Sequence, residues 1–156
     1  MSKILVIMGS AKDLDFAKKI EKTTRKFEVR CELRIASAHK TPEKVKRIID
    51  ENSQKEVVFI TVAGRSNALS GFVDANTTKP VIAAPPYSDK FGGVDIFSSL
   101  RMPSGVAPLV VLEPEQAALA AVKILALADK KLNEKVSKYQ EAFKKEIEKE
   151  DKKING

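Results

Sequence analysis

The chain predicts a three-layer, doubly wound α/β fold in which helices cover both faces of a parallel sheet. Three observations predict it. Apolar runs stand at 3–8 (KILVIM), 29–36 (VRCELRIA), 57–63 (VVFITVA), 80–84 (PVIAA) and 108–112 (PLVVL). Helix-like segments separate them, and strands that alternate with helices pair in parallel because each parallel connection needs a crossover. The runs at 3–8, 57–63 and 108–112 are nearly continuous in Val, Ile and Leu, as strands buried on both faces are.

The elements follow in order. After the first run, Leu14, Ala17, Ile20 and Thr24 recur at three- and four-residue steps, with Asp13 placed as the helix cap and Asp15 in the first turn. After the second, Pro42 takes the favoured first helical position behind Thr41 as cap. Val45, Ile48 and Ile49 face inward, and the helix runs out near Asn52. A short helix follows AGRSN, and an Ala-rich one spans 114–127. With no internal repeat and no linker composition, residues 1–128 read as one domain of flavodoxin-like or Rossmann-like architecture. Beyond it a C-terminal helical extension, 129–156, carries Leu132, Val136, Tyr139, Phe143 and Ile147 as a narrow stripe on a highly charged segment. So thin a stripe favours packing on a neighbouring subunit, with the last half-dozen residues frayed; periodicity alone equally permits packing on its own domain.

At 156 residues a single domain buries roughly two-thirds of its unfolded surface, so no disulfide staple is required. The one cysteine, Cys31, can form neither an internal disulfide nor a cysteine-rich metal site, which fits a reducing, cytoplasmic setting. The first residues make a strand rather than a secretion signal, and AALAAVKILALA is interrupted by Lys123 and shorter than the roughly 20 residues of a spanning helix. No membrane partner is expected.

The net charge of +7 is diffuse: residues 129–156 hold nine Lys against seven Asp and Glu, and the remaining five positive charges are scattered. Without an arginine-rich arm, zinc spacing or tryptophan, the chain is not expected to bind nucleic acid. A mildly positive surface suits a small phosphorylated ligand.

In an open α/β sheet, ligands bind beyond the carboxyl ends of the strands, where strand order reverses. Three loops there carry chemistry. MGSAKD offers Gly9 for a tight turn, the Ser10 hydroxyl and the positive end of the following helix. Gly and Ser serve equally as turn and cap, and the GxGxxG and GxxxxGK[ST] spacings are absent. SAHKTP brings Ser37, His39 and Lys40, with His39 the only histidine of the chain. AGRSNALSG brings Gly64, Arg65, Ser66 and Asn67. A fourth loop, 84–105, holds three of the seven prolines, two adjacent glycines and Ser88, Asp89, Ser98, Ser99 and Arg101; it covers the site or forms a subunit contact. One His and one Cys leave no zinc constellation and no Cys–His pair, and there is no GxSxG elbow, so metal-free chemistry is expected. A phosphoacceptor receiver would need acids where this chain has Gly-Ser and Gly-Arg-Ser.

In this order and at these distances, MGSAKD, SAHKTP, AGRSNALSG and SSLRMPSG resemble the phosphoribosylaminoimidazole carboxylase family of purine biosynthesis over about residues 3–128. One class of that family is a mutase that moves the carboxyl group of N5-carboxyaminoimidazole ribonucleotide to carbon, and typically reads SAHRTP with an AGGAAHLPG-like stretch. The other takes carbon dioxide directly onto aminoimidazole ribonucleotide and reads SAHK with AGRSN, as this chain does. The resemblance implies His39 as the acid/base. It implies Gly9, Ser10, Lys12 and Asp13 around the ribose phosphate with the first helix's N-terminus, Lys40 as a cation for phosphate or carboxylate, and Ser37, Ala38, Gly64, Arg65, Ser66 and Asn67 lining the base and carbon dioxide pocket. It further implies no cofactor and an octamer of two stacked tetramers with sites near subunit boundaries. One departure is Lys12, where the family usually has serine: a hydroxyl is lost and a cation gained, which either neutralises the phosphate or stays hydrated. Two rival readings are the mutase of the same family and a non-catalytic module that senses a phosphorylated nucleotide.

Overall fold

A computed structural model describes residues 2–155. Five strands, β1 (Lys3–Met8), β2 (Arg30–Ile35), β3 (Val57–Val62), β4 (Val81–Ala83) and β5 (Leu109–Val110), form one sheet in the order β2-β1-β3-β4-β5. Every pairing is parallel. The connections are helical: α1 (Leu14–Arg25), α2 (Pro42–Asp50), α3 (Ala68–Ala75) and α4 (Pro114–Ala126), followed by α5 (Lys130–Asn155).

Alternation along the central strands divides the core in two. Ile4, Val6 and Met8 of β1 and Val58, Ile60 and Val62 of β3 pack with Ala17 and Ile20 of α1 and Ala117, Ala118 and Ala121 of α4. Leu5, Ile7 and Phe59 face the other way, onto Val45, Ile48 and Ile49 of α2 and Leu69 and Val73 of α3. The alanine-lined face of α4 lets that helix lie close to the sheet.

The edges behave differently. β2 alternates Arg30, Glu32 and Arg34 along an open edge, which discourages pairing with another chain. Glu32 accepts from Lys3 Nζ at 2.7 Å and Arg34 at 3.2 Å, and these cations hold its carboxyl below the usual range. On the opposite edge, the expectation that 108–112 is covered on both faces fails. β5 has two residues, and Leu109 is 52% and Leu112 49% exposed, as β5 is the outermost strand of the sheet. Cys31, half-buried on β2, has its thiol pushed up to about 11 by burial, against a hydrogen bond with Thr24.

Two caps also differ from expectation. Asp13 occupies the N-cap of α1 at φ −88°, ψ 3°, without the extended backbone from which an aspartate caps, and its side chain caps nothing. A single 3-10 turn, Ala11–Asp13, precedes the helix, and Ser10, extended at φ −152°, ψ 154°, caps that turn through Lys12 N. Thr41 precedes α2, but its hydroxyl turns back into the loop, accepting from Ser37 N at 3.0 Å.

The C-terminal helix continues to Asn155 rather than fraying over its last half-dozen residues. Lys and Glu are strong helix formers, and Asn155 Nδ2 donates to Asp151 Oδ1 at 2.8 Å. Its first half docks on its own chain: Leu132 and Val136 are buried, and Tyr139 meets Phe27 edge-on at 4.9 Å. Lys135 Nζ bonds Glu28 Oε2 at 2.6 Å. Ile147, further along the stripe, is 64% exposed.

That asymmetry is measurable. Val136→Ala should lower unfolding stability by about 1–3 kcal/mol, and Ile147→Ala by less than about 0.5 kcal/mol, in urea titrations at low protein concentration. At concentrations where copies associate, a larger loss for Ile147→Ala is the outcome expected when another copy covers the outer half of the helix.

Candidate active site

The direction of winding reverses at β1, which lies between β2 and β3. Met8 lies in register with Ile35 on one side and Val62 on the other, so the three strands stop at one level. Pairing continues one residue further on each flank, with Ala36 N to Met8 O and Gly9 N to Val62 O both at 2.9 Å. Loops 9–13, 36–41 and 63–67 therefore leave the same edge side by side, their first residues within roughly 10 Å at ordinary strand spacing.

In the first loop Gly9 does not adopt a left-handed backbone; among the described glycines that conformation belongs to Gly92, Gly93 and Gly105. Its continued pairing with β3 removes the need for the tight turn expected of it, and a Cβ would sit 3.6 Å from Ala63 Cβ, an ordinary contact. Ser10 Oγ accepts from Lys12 N at 3.2 Å and keeps its own proton to donate outward. Asp13 is half-buried and Lys12 exposed.

The second loop closes on itself. Thr41 N donates to Ser37 O at 2.8 Å and Lys40 N to Ser37 Oγ at 3.2 Å, so Ser37 and Thr41 fasten the two ends of the turn. His39 and Lys40 are left exposed at its apex, while Ala38 packs back onto the α2 and α3 side of the core.

The third loop is held from outside. Arg65 is left-handed at φ 57°, uncommon for a residue with a side chain. Its N–H donates to Asp95 Oδ2 at 2.8 Å, and its guanidinium lies 6.0 Å from the centre of the Phe91 ring. Ser66 is exposed and Gly64 half-buried. Asn67, expected in the ligand pocket, instead turns inward. Buried, it caps α3 by accepting from Ser70 N at 3.2 Å, and its Nδ2 donates to Ser70 Oγ at 2.7 Å and Ser99 Oγ at 2.8 Å. Ser70 in turn meets Thr61 of β3 at 2.8 Å.

The edge thus gathers one imidazole, hydroxyls from three loops and the cations Lys12, Lys40 and Arg65, an arrangement suited to an anionic ligand with a proton to exchange. A hollow of 480 Å³ runs along α2 from Pro42 to Glu51 beside Phe72, and none of the expected site residues line it. Among the described residues no three His, Cys, Asp or Glu side chains converge as a metal site, and no helix is long and apolar enough to cross a membrane.

The family model described as AIR carboxylase matches residues 3–146. The chain belongs to the AIR carboxylase family. It is thus an enzyme of a purine-biosynthesis family. Over 152 residues it is 63% identical to a phosphoribosylaminoimidazole carboxylase of Archaeoglobus fulgidus, covering 97% of this chain and 84% of the relative. It is also 43% identical over 154 residues to an N5-carboxyaminoimidazole ribonucleotide mutase of Methanocaldococcus jannaschii, covering 97% and 96%. The crystal structure of Treponema denticola PurE superposes with a TM-score of 0.96 at 44% identity, covering all of both chains. AIR carboxylase membership and the flavodoxin-like sheet therefore agree with the sequence reading, while the two relatives' names leave the reaction class to be argued.

Sequence reasoning missed Asp95. The available signal was an acid between the Gly92–Gly93 pair and the Ser98–Ser99 pair, within a long loop, but its partner lies 30 residues away in the chain.

Burial pushes the Asp13 carboxyl above its ordinary value, and a hydrogen bond with the Ser10 backbone works against that shift. With the folded value raised, the native state binds more protons between the unfolded and folded pKa, so this group costs stability at neutral pH and ceases to as pH falls. Asp13→Asn should be more stable than the unaltered chain at pH 7 and lose that advantage near about pH 3.5. Urea titrations at the two pH values read this out, and a variant less stable at pH 7 would contradict it.

Proposed function

We propose that the chain carboxylates 5-aminoimidazole ribonucleotide with carbon dioxide to 4-carboxy-5-aminoimidazole ribonucleotide, reversibly and without a cofactor. The observation that carries this is the exposed His39 at the apex of the turn after β2, beside the loop after β1 and on the same sheet edge as the loop after β3.

The chemistry follows from the substrate. The aminoimidazole is an enamine, and its carbon 4 attacks carbon dioxide to form the new carbon–carbon bond. That carbon becomes tetrahedral and must lose its proton to restore aromaticity. Imidazole exchanges a proton near neutrality, so His39 takes this proton and returns it in decarboxylation. The Ser10 hydroxyl, Asp13 and the N-terminal end of α1 hold the ribose phosphate with Gly9 beside them, and Lys12 adds a cation there. Lys40 and Arg65 balance the carboxylate, and Ser37, Ala38, Gly64 and Ser66 shape the base pocket. Asn67 supports that wall from behind.

Lys40 and AGRSN favour direct carboxylation, as does the 63% identity to a relative named carboxylase. The mutase reading keeps a specific support in the relative of that name at 43%. In the same reading residues 1–128 are the catalytic domain and the outer half of α5 packs on another copy. The protein is cytoplasmic and assembles as a homo-oligomer of eight, which would also cover the exposed Leu109 and Leu112.

Two experiments test this. Offered separately with and without bicarbonate, aminoimidazole ribonucleotide should turn over only when bicarbonate supplies carbon dioxide, whereas turnover confined to the N5-carboxy compound would make the chain a mutase. His39→Asn should lower kcat by about a hundredfold to ten-thousandfold while ribonucleotide affinity stays within a few-fold. Binding without any carboxyl exchange in the unaltered protein would favour a sensor.

A further inference from the structure

We propose that the segment Val94–Ser99 is a fixed template for the Arg65–Asn67 loop, with Asp95 as the positioning residue; this rests on reading that loop as a wall of the ribonucleotide site. Beyond the local cap that Asn67 makes with Ser70, the loop is held from outside. Arg65 N donates to Asp95 Oδ2 at 2.8 Å, Asn67 N to Ser98 Oγ at 3.0 Å and Asn67 Nδ2 to Ser99 Oγ at 2.8 Å. The Ser98 proton is shared between Arg65 O at 2.9 Å and Asp95 O at 2.8 Å. All three side chains come from one six-residue 3-10 segment, so they present acceptors together to the backbone amides of Arg65 and Asn67 and to the Asn67 side-chain amide.

The template is itself built in. Gly92 and Gly93, left-handed at φ 55° and 78°, reverse the chain into it, and a Cβ on Gly93 would come within 3.0 Å of Tyr87 Cε2. Gly64 packs beside the carboxylate: a Cβ there would stand 3.5 Å from Asp95 Oδ2, an ordinary contact. A charge-assisted hydrogen bond is stronger than a neutral one, so Asp95 is the contact able to keep Arg65 in a backbone region that side chains disfavour. Arg65's φ decides where its guanidinium starts from, and hence where the cation meets a carboxylate.

The consequence is that Asp95, which need not touch the ligand, controls turnover through Arg65. The experiment compares the full-length protein with Asp95→Ala, Asp95→Asn and Asp74→Ala. The last removes a like contact elsewhere on the same long connection, from Ala107 N to Asp74 Oδ2 at 2.7 Å. Readouts are kcat, KM, thermal midpoint and deuterium exchange at the Arg65 and Asn67 amides.

Asp95→Ala should lose about tenfold to a hundredfold in kcat/KM and expose both amides to faster exchange. Asp95→Asn, which retains an oxygen acceptor, should recover to within about fivefold, and Asp74→Ala should stay within about twofold, because neither displaces the loop. The idea is overturned if Asp95→Ala and Asp74→Ala fall in parallel with their thermal midpoints, or if Asp95→Ala keeps unaltered kinetics. Should Asp95→Ala not fold, fast exchange of both amides in the unaltered protein overturns it equally, and slow exchange with Asp95→Asn active sustains it. Were the unaltered protein to turn over neither ribonucleotide, the proposed reaction would fall separately. Exchange rates and ribonucleotide Kd in Asp95→Ala would then decide the template, a weakened Kd supporting it and an unchanged one rejecting it.

Discussion

Because Met8 pairs with Ile35 on one flank and Val62 on the other, three strands end together and hand their following residues to one edge. Parallel hydrogen bonding admits no gradual adjustment: a one-residue slip of β1 would turn Ile4, Val6 and Met8 from the α1 and α4 side to the α2 and α3 side. Both halves of the core therefore enforce the register that aligns the loops. The loops of the candidate site are brought to one edge by strand packing, whatever contacts their own residues make.

The three loops meet this constraint in different ways. The one after β1 runs straight into a helix through a single 3-10 turn, and the one after β2 is tied by Ser37 and Thr41 within five residues. Both are local solutions. The loop after β3 depends on Asn67, Ser70, Ser99 and Thr61, whose hydroxyl and amide groups satisfy one another inside the protein. Among the described residues no buried side-chain nitrogen or oxygen lacks a partner. A fully satisfied network in a low-dielectric interior is stiff, and a half-satisfied one is costly, so such a loop has little freedom to drift.

Legibility in the sequence followed the range of the interactions involved. The strands at 3–8 and 57–63, the helix opened by Pro42 and the Ala-rich α4 were readable because hydrophobic periodicity and proline's fixed φ act over a few residues. So was the grouping of His39 with its neighbouring loops, since α/β topology sends successive strand ends to one side. The two-residue β5 was not, because the Val- and Leu-rich 108–112 run looks central until the strand order is known. Asp13 and Thr41 were right in position and wrong in bonding, as the backbone angles of Asp13 and a competing donor, Ser37 N, decided where the carboxylate and the hydroxyl went. Asn67 was read as a ligand contact because composition does not distinguish an amide facing water from one sealed behind a serine.

The sheltered thiol on β2 has a practical use. With its proton retained to about pH 11, Cys31 contributes almost no thiolate at neutrality, so it resists alkylation and oxidation. A cysteine introduced at an exposed position of the Ser37–Thr41 turn would then be the one thiol that maleimide dyes find. Under the proposed function, fluorescence from that point would report ribonucleotide arrival in real time, with no need to remove the native residue first.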